Sequence, residues 1–243
     1  MRKILITSGD SWTHSSFHDF PKWPDFLAKK LEMRLVNVGE GARGNEFIHG
    51  SMIDSLCQEK NKNIGLAVCL WSSFDRWDFI KDTIRINPKS IVGPFWEKTK
   101  ISKYVLEEFK ALHDVLTQHE MIDGIFNAVR SLRFYYSFQC YCELNQIPYI
   151  HAQNFYPTEV DDDSIIKSFL EHPLFNHINE NHFLWWPIFP QIGGETMSKR
   201  LNRIDPDKTE LRISKEDTHP NRKGQEYISE IIYEEYKKIY IKN

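Results

Sequence analysis

The sequence predicts an α/β protein, a three-layer α/β/α sandwich on a parallel sheet. Three observations predict it. Short apolar, β-branched runs alternate with longer segments whose apolar residues recur at helical spacing. The run from Ile64 to Trp71 is apolar throughout, as expected of a parallel strand covered on both faces. A sharp turn signal, Gly9-Asp10-Ser11-Trp12, directly follows the first apolar run, at the strand end where open α/β sheets bind ligands.

The elements follow in order. Lys3 to Ser8 reads as a buried first strand. Residues 22–32 carry Trp23, Phe26, Leu27 and Leu31 at helical spacing. Residues 35–38 read as strand two. Phe47, Ile48, Met52, Ile53 and Leu56 predict a helix after Gly44, and residues 64–71 form strand three. Residues 101–119 and 122–145 read as two long helices, with Ile91-Val92 as a short extension before them. Residues 148–151 form strand four. The last helix starts at Pro220, a favoured first-turn residue, and carries Tyr227, Ile228, Ile231, Ile232 and Ile239 on its apolar side.

The chain of 243 residues is long enough for one domain with a sizeable core. It is read as a single domain, 1–243, with a lid-like insertion at about 155–205 that is rich in Pro, Asn, Asp, His and aromatic residues. Phe183, Trp185, Trp186 and Phe189 crowd that insertion, either as core or as a stacking surface for a sugar or an acyl chain. The net charge of −3 and a pI near 6.4 give no electrostatic footprint for nucleic acid. No apolar run reaches membrane-spanning length, and the first strand begins too early for a cleavable signal peptide, so a cytoplasmic protein is expected. Cys57, Cys69, Cys140 and Cys142 do not read as a disulfide framework in a chain this long; they are expected in the core.

Three constellations carry chemistry. Ser11 stands at the end of strand one. Serine is a weak nucleophile unless an imidazole takes its proton and a third group orients that imidazole. Glu216-Asp217-Thr218-His219-Pro220-Asn221 offers both, with either Glu216 or Asp217 as the orienting acid. After strand two, Gly39-Glu40-Gly41-Ala42-Arg43-Gly44 matches the G-x-G-x-x-G spacing of dinucleotide sites. The fingerprint normally follows the first strand, however, and Glu59 lies in a polar run rather than at a strand end. The glycines equally let a backbone N–H point into the cleft beside Ser11. After strand three, Trp71-Ser72-Ser73-Phe74-Asp75-Arg76 brings hydroxyls and charges to the same sheet edge. His172, His177, Glu180 and His182 lack the spacing of a zinc site, so no metal and no cofactor are expected. His14 and His18 follow the serine in its loop.

At these places the chain resembles the SGNH (GDSL-type) hydrolases. Gly9-Asp10-Ser11 looks like the first block of that family, with Ser11 as nucleophile. Asn37 to Asn45 looks like the second, in which a glycine N–H lines the oxyanion hole, and Gly44 is the matching position. Asp217-Thr218-His219-Pro220-Asn221-x-x-Gly224 resembles the last block, which holds the base and its acid. The resemblance spans the chain and implies a flavodoxin-like sheet and ester hydrolysis without a cofactor. It breaks at the third block, where the family has Gly-x-Asn-Asp. Here Trp71 replaces the glycine and Ser73 stands in place of the asparagine that donates to the oxyanion. Asn45 or Ser73 is the candidate replacement. Asp217 is two residues before His219, where the family usually has Asp three before, the place of Glu216. Trp12 replaces an aliphatic residue and is expected to shape the pocket, with Arg76 and Trp185 as further substrate contacts. The expected substrate is a small-molecule or glycan ester, with an O-acetylated carbohydrate favoured. An O-acyltransferase or a catalytically silent glycan-binding protein on the same framework are the alternatives.

Overall fold

A computed structural model describes residues 2–16, 18–59, 63–78, 124–158 and 163–241, with Ala111, Asp114, Val115 and Gln118 between them. The predicted helix 101–119 and the extension at Ile91-Val92 fall outside the described residues, apart from those four positions.

The sheet has strands β1 (Ile4–Gly9), β2 (Arg34–Asn37), β3 (Ile64–Trp71) and β4 (Tyr149–Gln153). All pairs are parallel, in the order β2-β1-β3-β4. This is the start of the flavodoxin-like order, and it places the switch point between β1 and β3. The helices are α1 (Trp23–Lys30), α2 (Asn45–Gln58), α3 (Gly124–Leu144), α4 (Asp163–Glu171), α5 (Met197–Ile204) and α6 (Arg222–Tyr240). No described helix is long and apolar enough to cross a membrane.

The strand residues divide alternately between two apolar cores, because successive side chains point to opposite faces. Ile4, Ile6, Ala67, Cys69, Trp71 and Tyr149 pack with residues of α2 and α3. Leu5, Leu66, Val68, Leu70, Ile150 and Ala152 pack with residues of α1 and α6. Helices therefore cover both faces, as the continuous apolar pattern of β3 predicts. β2 is an edge strand, and its residues are half-buried or exposed.

Two expectations shift, and one open alternative is decided. α6 begins at Arg222, not Pro220, because Pro220 is held in an antiparallel bridge with Arg212 and the Asn221 side chain caps the helix by accepting from Gly224 N at 3.0 Å. Cys57 is exposed, while Cys69 and Cys142 lie in the core. The open alternative is the aromatic segment. Phe183 bridges His151 beside β4, and Leu184 N donates to His151 O at 2.9 Å. Phe183, Leu184, Ile188 and Phe189 are buried, and Trp186 rests on Phe169, Phe175 and Phe183. These rings pack against one another and so complete the core.

The parallel register brings the C-terminal ends of the strands to one level. Gly9 pairs with Leu70, and Leu70 pairs with Ala152. Ser11, Ser72 and Asn154 therefore leave the sheet along one edge.

Candidate active site

The loop after β1 is shaped by Asp10. Its carbonyl accepts from the N–H groups of Thr13 and His14, at 2.8 and 3.0 Å. Its carboxylate is fully buried and accepts from Trp12 N at 3.1 Å, Asn154 Nδ2 at 2.9 Å, Ser72 Oγ at 3.2 Å and Arg76 Nη1 at 3.1 Å. A buried charge is tolerated only when paired and hydrogen-bonded. This one ties the exits of β1, β3 and β4 into one rigid corner and fixes where Ser11 projects. Asn154 and the anchoring role of Asp10 were missed from the sequence, because their partners are distant in the chain.

A second loop brings His219 to Ser11. Arg212 is buried and donates to Thr218 O at 2.7 Å, Ser198 O at 3.0 Å and Asn202 Oδ1 at 2.8 Å. Burial pushes its guanidinium down to about 10, against the pull of Asp205. Its charge also lies over the Trp12 ring, 4.7 Å from the centroid. Ile213 N donates to His219 O and Ser214 N to Asp217 O, which closes the loop on itself. Arg212 is a further residue that sequence reasoning missed, since nothing local marks an arginine as buried.

Within that loop His219 Nε2 lies 2.9 Å from Ser11 Oγ, and His219 Nδ1 lies 2.6 Å from Asp217 Oδ1. Asp217 Oδ1 also accepts from His219 N at 3.1 Å. Ser11 is nearly buried, with 5% of its surface exposed. Burial acts to raise the Asp217 carboxyl, but the hydrogen bonds from the His219 ring and backbone outweigh it and hold the carboxyl below its ordinary value. Glu216 is turned away. Its carboxylate accepts from Ser214 Oγ at 2.9 Å, so of the two acids it is Asp217 that meets the imidazole.

The remaining expected residues fare differently. Gly44 N points at the Asp78 carboxylate, 2.9 and 3.1 Å from its two oxygens, and Phe47 N donates to the same group at 2.9 Å. Asp78 thus caps the start of α2 across the fold and occupies the N–H expected in the oxyanion hole. Asn45 is buried; its Oδ1 accepts from Ser72 N at 2.7 Å and its Nδ2 donates to Ser131 Oγ at 3.1 Å, so its amide braces β3 against α3. Ser73 stays at the sheet edge, largely buried. Arg76 does not face open space: it donates to Asp10 and to Arg43 O at 3.1 Å, and its guanidinium lies over the Phe155 ring. Trp12 is buried between Arg212 and Phe155, because the tight turn at Asp10 aims its ring into the α6 side of the core. Neither Trp12 nor Arg76 therefore offers the substrate surface expected of it. Trp185 is half-buried, facing the Arg200 guanidinium at 5.5 Å.

The glycine run holds no phosphate cradle. Gly39 N donates to Asn37 Oδ1, Gly41 N to His14 Nδ1, and Gly44 N meets a carboxylate that would repel a phosphate.

His18 is a further titratable neighbour of this pair. Its ring meets that of His219 edge-on, with centroids 6.0 Å apart. A wide, solvent-open hollow of about 570 Å³ lies beside it, lined by Ser15, Ser16, His18, Asp19, Phe20, Pro21 and Asp25.

No family model matches the sequence, and no curated protein matches it. Solved structures do. A protein assigned to the lipolytic G-D-S-L family of Desulfitobacterium hafniense DCB-2 is 14% identical, with a TM-score of 0.50 over 96% of this chain and 99% of that one. TesA is 12% identical, with a TM-score of 0.52 over 97% of this chain and 99% of its own. The psychrotrophic esterase EstA of Pseudoalteromonas sp. is 12% identical, with a TM-score of 0.52 over 99% of this chain and 100% of its own. The chain therefore has the α/β/α fold of the SGNH hydrolases.

Proposed function

We propose that this chain is an SGNH-type serine hydrolase that cleaves carboxylic esters through Ser11, His219 and Asp217. One observation carries the reading: the Ser11 hydroxyl, the His219 ring and the Asp217 carboxylate are hydrogen-bonded in series at the ligand-binding edge of the sheet. Asp217 accepts from Nδ1–H and so fixes the tautomer that leaves Nε2 free to take a proton. Ser11 Oγ gives its proton to Nε2 as it attacks the ester carbonyl. His219 returns that proton to the departing alcohol. A water then gives a proton to His219 and attacks the acyl-serine, which releases the acid and restores Ser11. The backbone N–H of Ser11 and the Ser73 hydroxyl are the proposed oxyanion donors, joined by the Gly44 N–H once the Asp78 carboxylate is displaced from it.

The carbohydrate part of the reading draws on the open hollow beside His18. Two serine hydroxyls, two carboxylates and the Phe20 ring suit a polyhydroxylated alcohol better than an acyl chain. Of the aromatic segment, Phe183 and Phe189 are buried, while Trp185 and Trp186, on which the sugar contact rests, are half-buried.

A second reading has its own observation. Asp78 fills the Gly44 N–H, and the third-block asparagine is missing, which favours a catalytically silent binding protein on the same fold. Hydrolysis of p-nitrophenyl acetate separates the two. The esterase reading expects turnover that disappears in Ser11→Ala; turnover equal in both proteins, or absent from both, overturns it.

A further inference from the structure

His18 lies in the same loop as Ser11 and adds a third metal-ligating side chain to the pair Asp217 and His219. One ligand atom from each of the three lies within 4.8 Å of the other two, the one such grouping among the described residues. The reaction outlined above uses Asp217 and His219 but gives His18 no part.

We propose that His18, Asp217 and His219 form an inhibitory site for a borderline divalent transition-metal ion, with zinc as the first candidate. Two imidazoles and one carboxylate are a ligand set for such ions; Mg²⁺ and Ca²⁺ prefer oxygen ligands alone. Zinc bonds of about 2.0–2.2 Å place tetrahedral ligand atoms ~3.4 Å apart, so small side-chain rotations close this cluster. Three protein ligands leave a fourth position for water. The surrounding charge is mixed: Asp217 and Asp19 favour a cation, and Lys22 opposes it. The Lys22 ammonium sits over the Phe20 ring, 4.1 Å from its centroid. Burial first, then the Lys22 charge, holds the His18 imidazole below its ordinary value.

The consequence for the serine is direct. An ion on His219 Nδ1 breaks the bond to Asp217, and an ion on Nε2 takes the acceptor from Ser11. Either way one of the two hydrogen bonds of the relay is lost. Inhibition rests on the serine-hydrolase reading; metal binding does not.

The test has two arms on the full chain. Zinc is titrated into Ser11→Ala by calorimetry, which reads binding without activity. The site predicts one zinc per chain, with affinity lost by more than about 10–100-fold in the doubles carrying His18→Asn or His18→Gln, both confirmed folded by circular dichroism. The same affinity in both doubles overturns the site. In the second arm, fluorophosphonate labelling of the native chain is compared with and without zinc. Zinc should block labelling, EDTA should restore it, and the ratio should return to one in His18→Asn. Zinc binding through His18 that leaves labelling untouched overturns the inhibition. A zinc-free native chain that binds zinc yet does not label refutes the hydrolase reading, and inhibition with it, while the metal site stands.

Discussion

Asp78→Ala should make this chain a faster esterase and a less stable protein. The Asp78 carboxylate accepts from Gly44 N at 2.9 and 3.1 Å and from Phe47 N at 2.9 Å. A substrate oxyanion can use Gly44 N–H only after displacing that carboxylate. A hydrogen bond to a charged group is worth about 1.5–3 kcal/mol. At about 1.4 kcal/mol per factor of ten, relief of that competition should raise kcat/KM for a small acetyl ester by roughly 10–150-fold. The same substitution removes a cap of α2, which costs about 0.5–2 kcal/mol. For a chain of this size that lowers Tm by roughly 1–8 °C. The assay is p-nitrophenyl acetate hydrolysis at several substrate concentrations, alongside a thermal melt. A fall in Tm with kcat/KM unchanged or lower would refute the reasoning: Asp78 would then be only a helix cap, and Gly44 would not serve the oxyanion.

Three further outcomes follow from the geometry. Asp217→Asn should reduce ester turnover by about 10³–10⁴-fold through the wrong imidazole tautomer, whereas Glu216→Gln, whose carboxylate bonds only Ser214 in the described contacts, should stay within about twofold of native; steady-state kinetics of both compare them. Arg76→Ala unpairs the buried Asp10 carboxylate, which keeps three other donors, so a loss near the lower end of about 3–5 kcal/mol and a Tm drop of roughly 6–12 °C are expected in a thermal melt. His151 is buried and accepts from Trp71 Nε1 at 3.0 Å; burial first, then the nearby His182, pushes it down to about 3. Its folded-state value lies below its unfolded one, so its contribution is complete above about pH 6.5 and is lost as pH falls toward 3. Urea melts should therefore show a loss of about 3 kcal/mol between pH 7 and pH 4 from this group. His18, His49 and His182, also depressed by burial, act in the same direction, so the contribution of His151 is the part of the slope that His151→Gln removes; an unchanged slope would contradict it.

Local signals carried the parts of this fold that depend on local order. The apolar run of β3 announced a doubly covered strand, and Gly9-Asp10-Ser11 announced a turn at a strand end. The pairing of Ser11 with His219 was also readable, because each sits beside its own turn chemistry at a place the fold brings together. What escaped were groups whose roles depend on tertiary partners. Asp78, Asn154 and Arg212 have no local pattern that marks them as a helix cap, an anchor and a loop brace. Trp12 and Arg76 misled for the converse reason: a polar or aromatic residue beside a nucleophile suggests substrate contact, yet the tight turn at Asp10 drives one ring into the core and draws one guanidinium onto a buried carboxylate. The aromatic run at 183–189 read either as core or as a stacking surface because its periodicity is weak, and a segment of short turns lying beside β4 buries Phe183, Leu184, Ile188 and Phe189 without a regular period.

The central claim is an activated serine at position 11. The most direct test is covalent labelling with a fluorophosphonate probe, read by intact mass, on the native chain, Ser11→Ala and His219→Ala. One adduct on the native chain, absent from Ser11→Ala and strongly reduced in His219→Ala, is the predicted result. A native chain that stays unlabelled, or labels equally in all three, contradicts it.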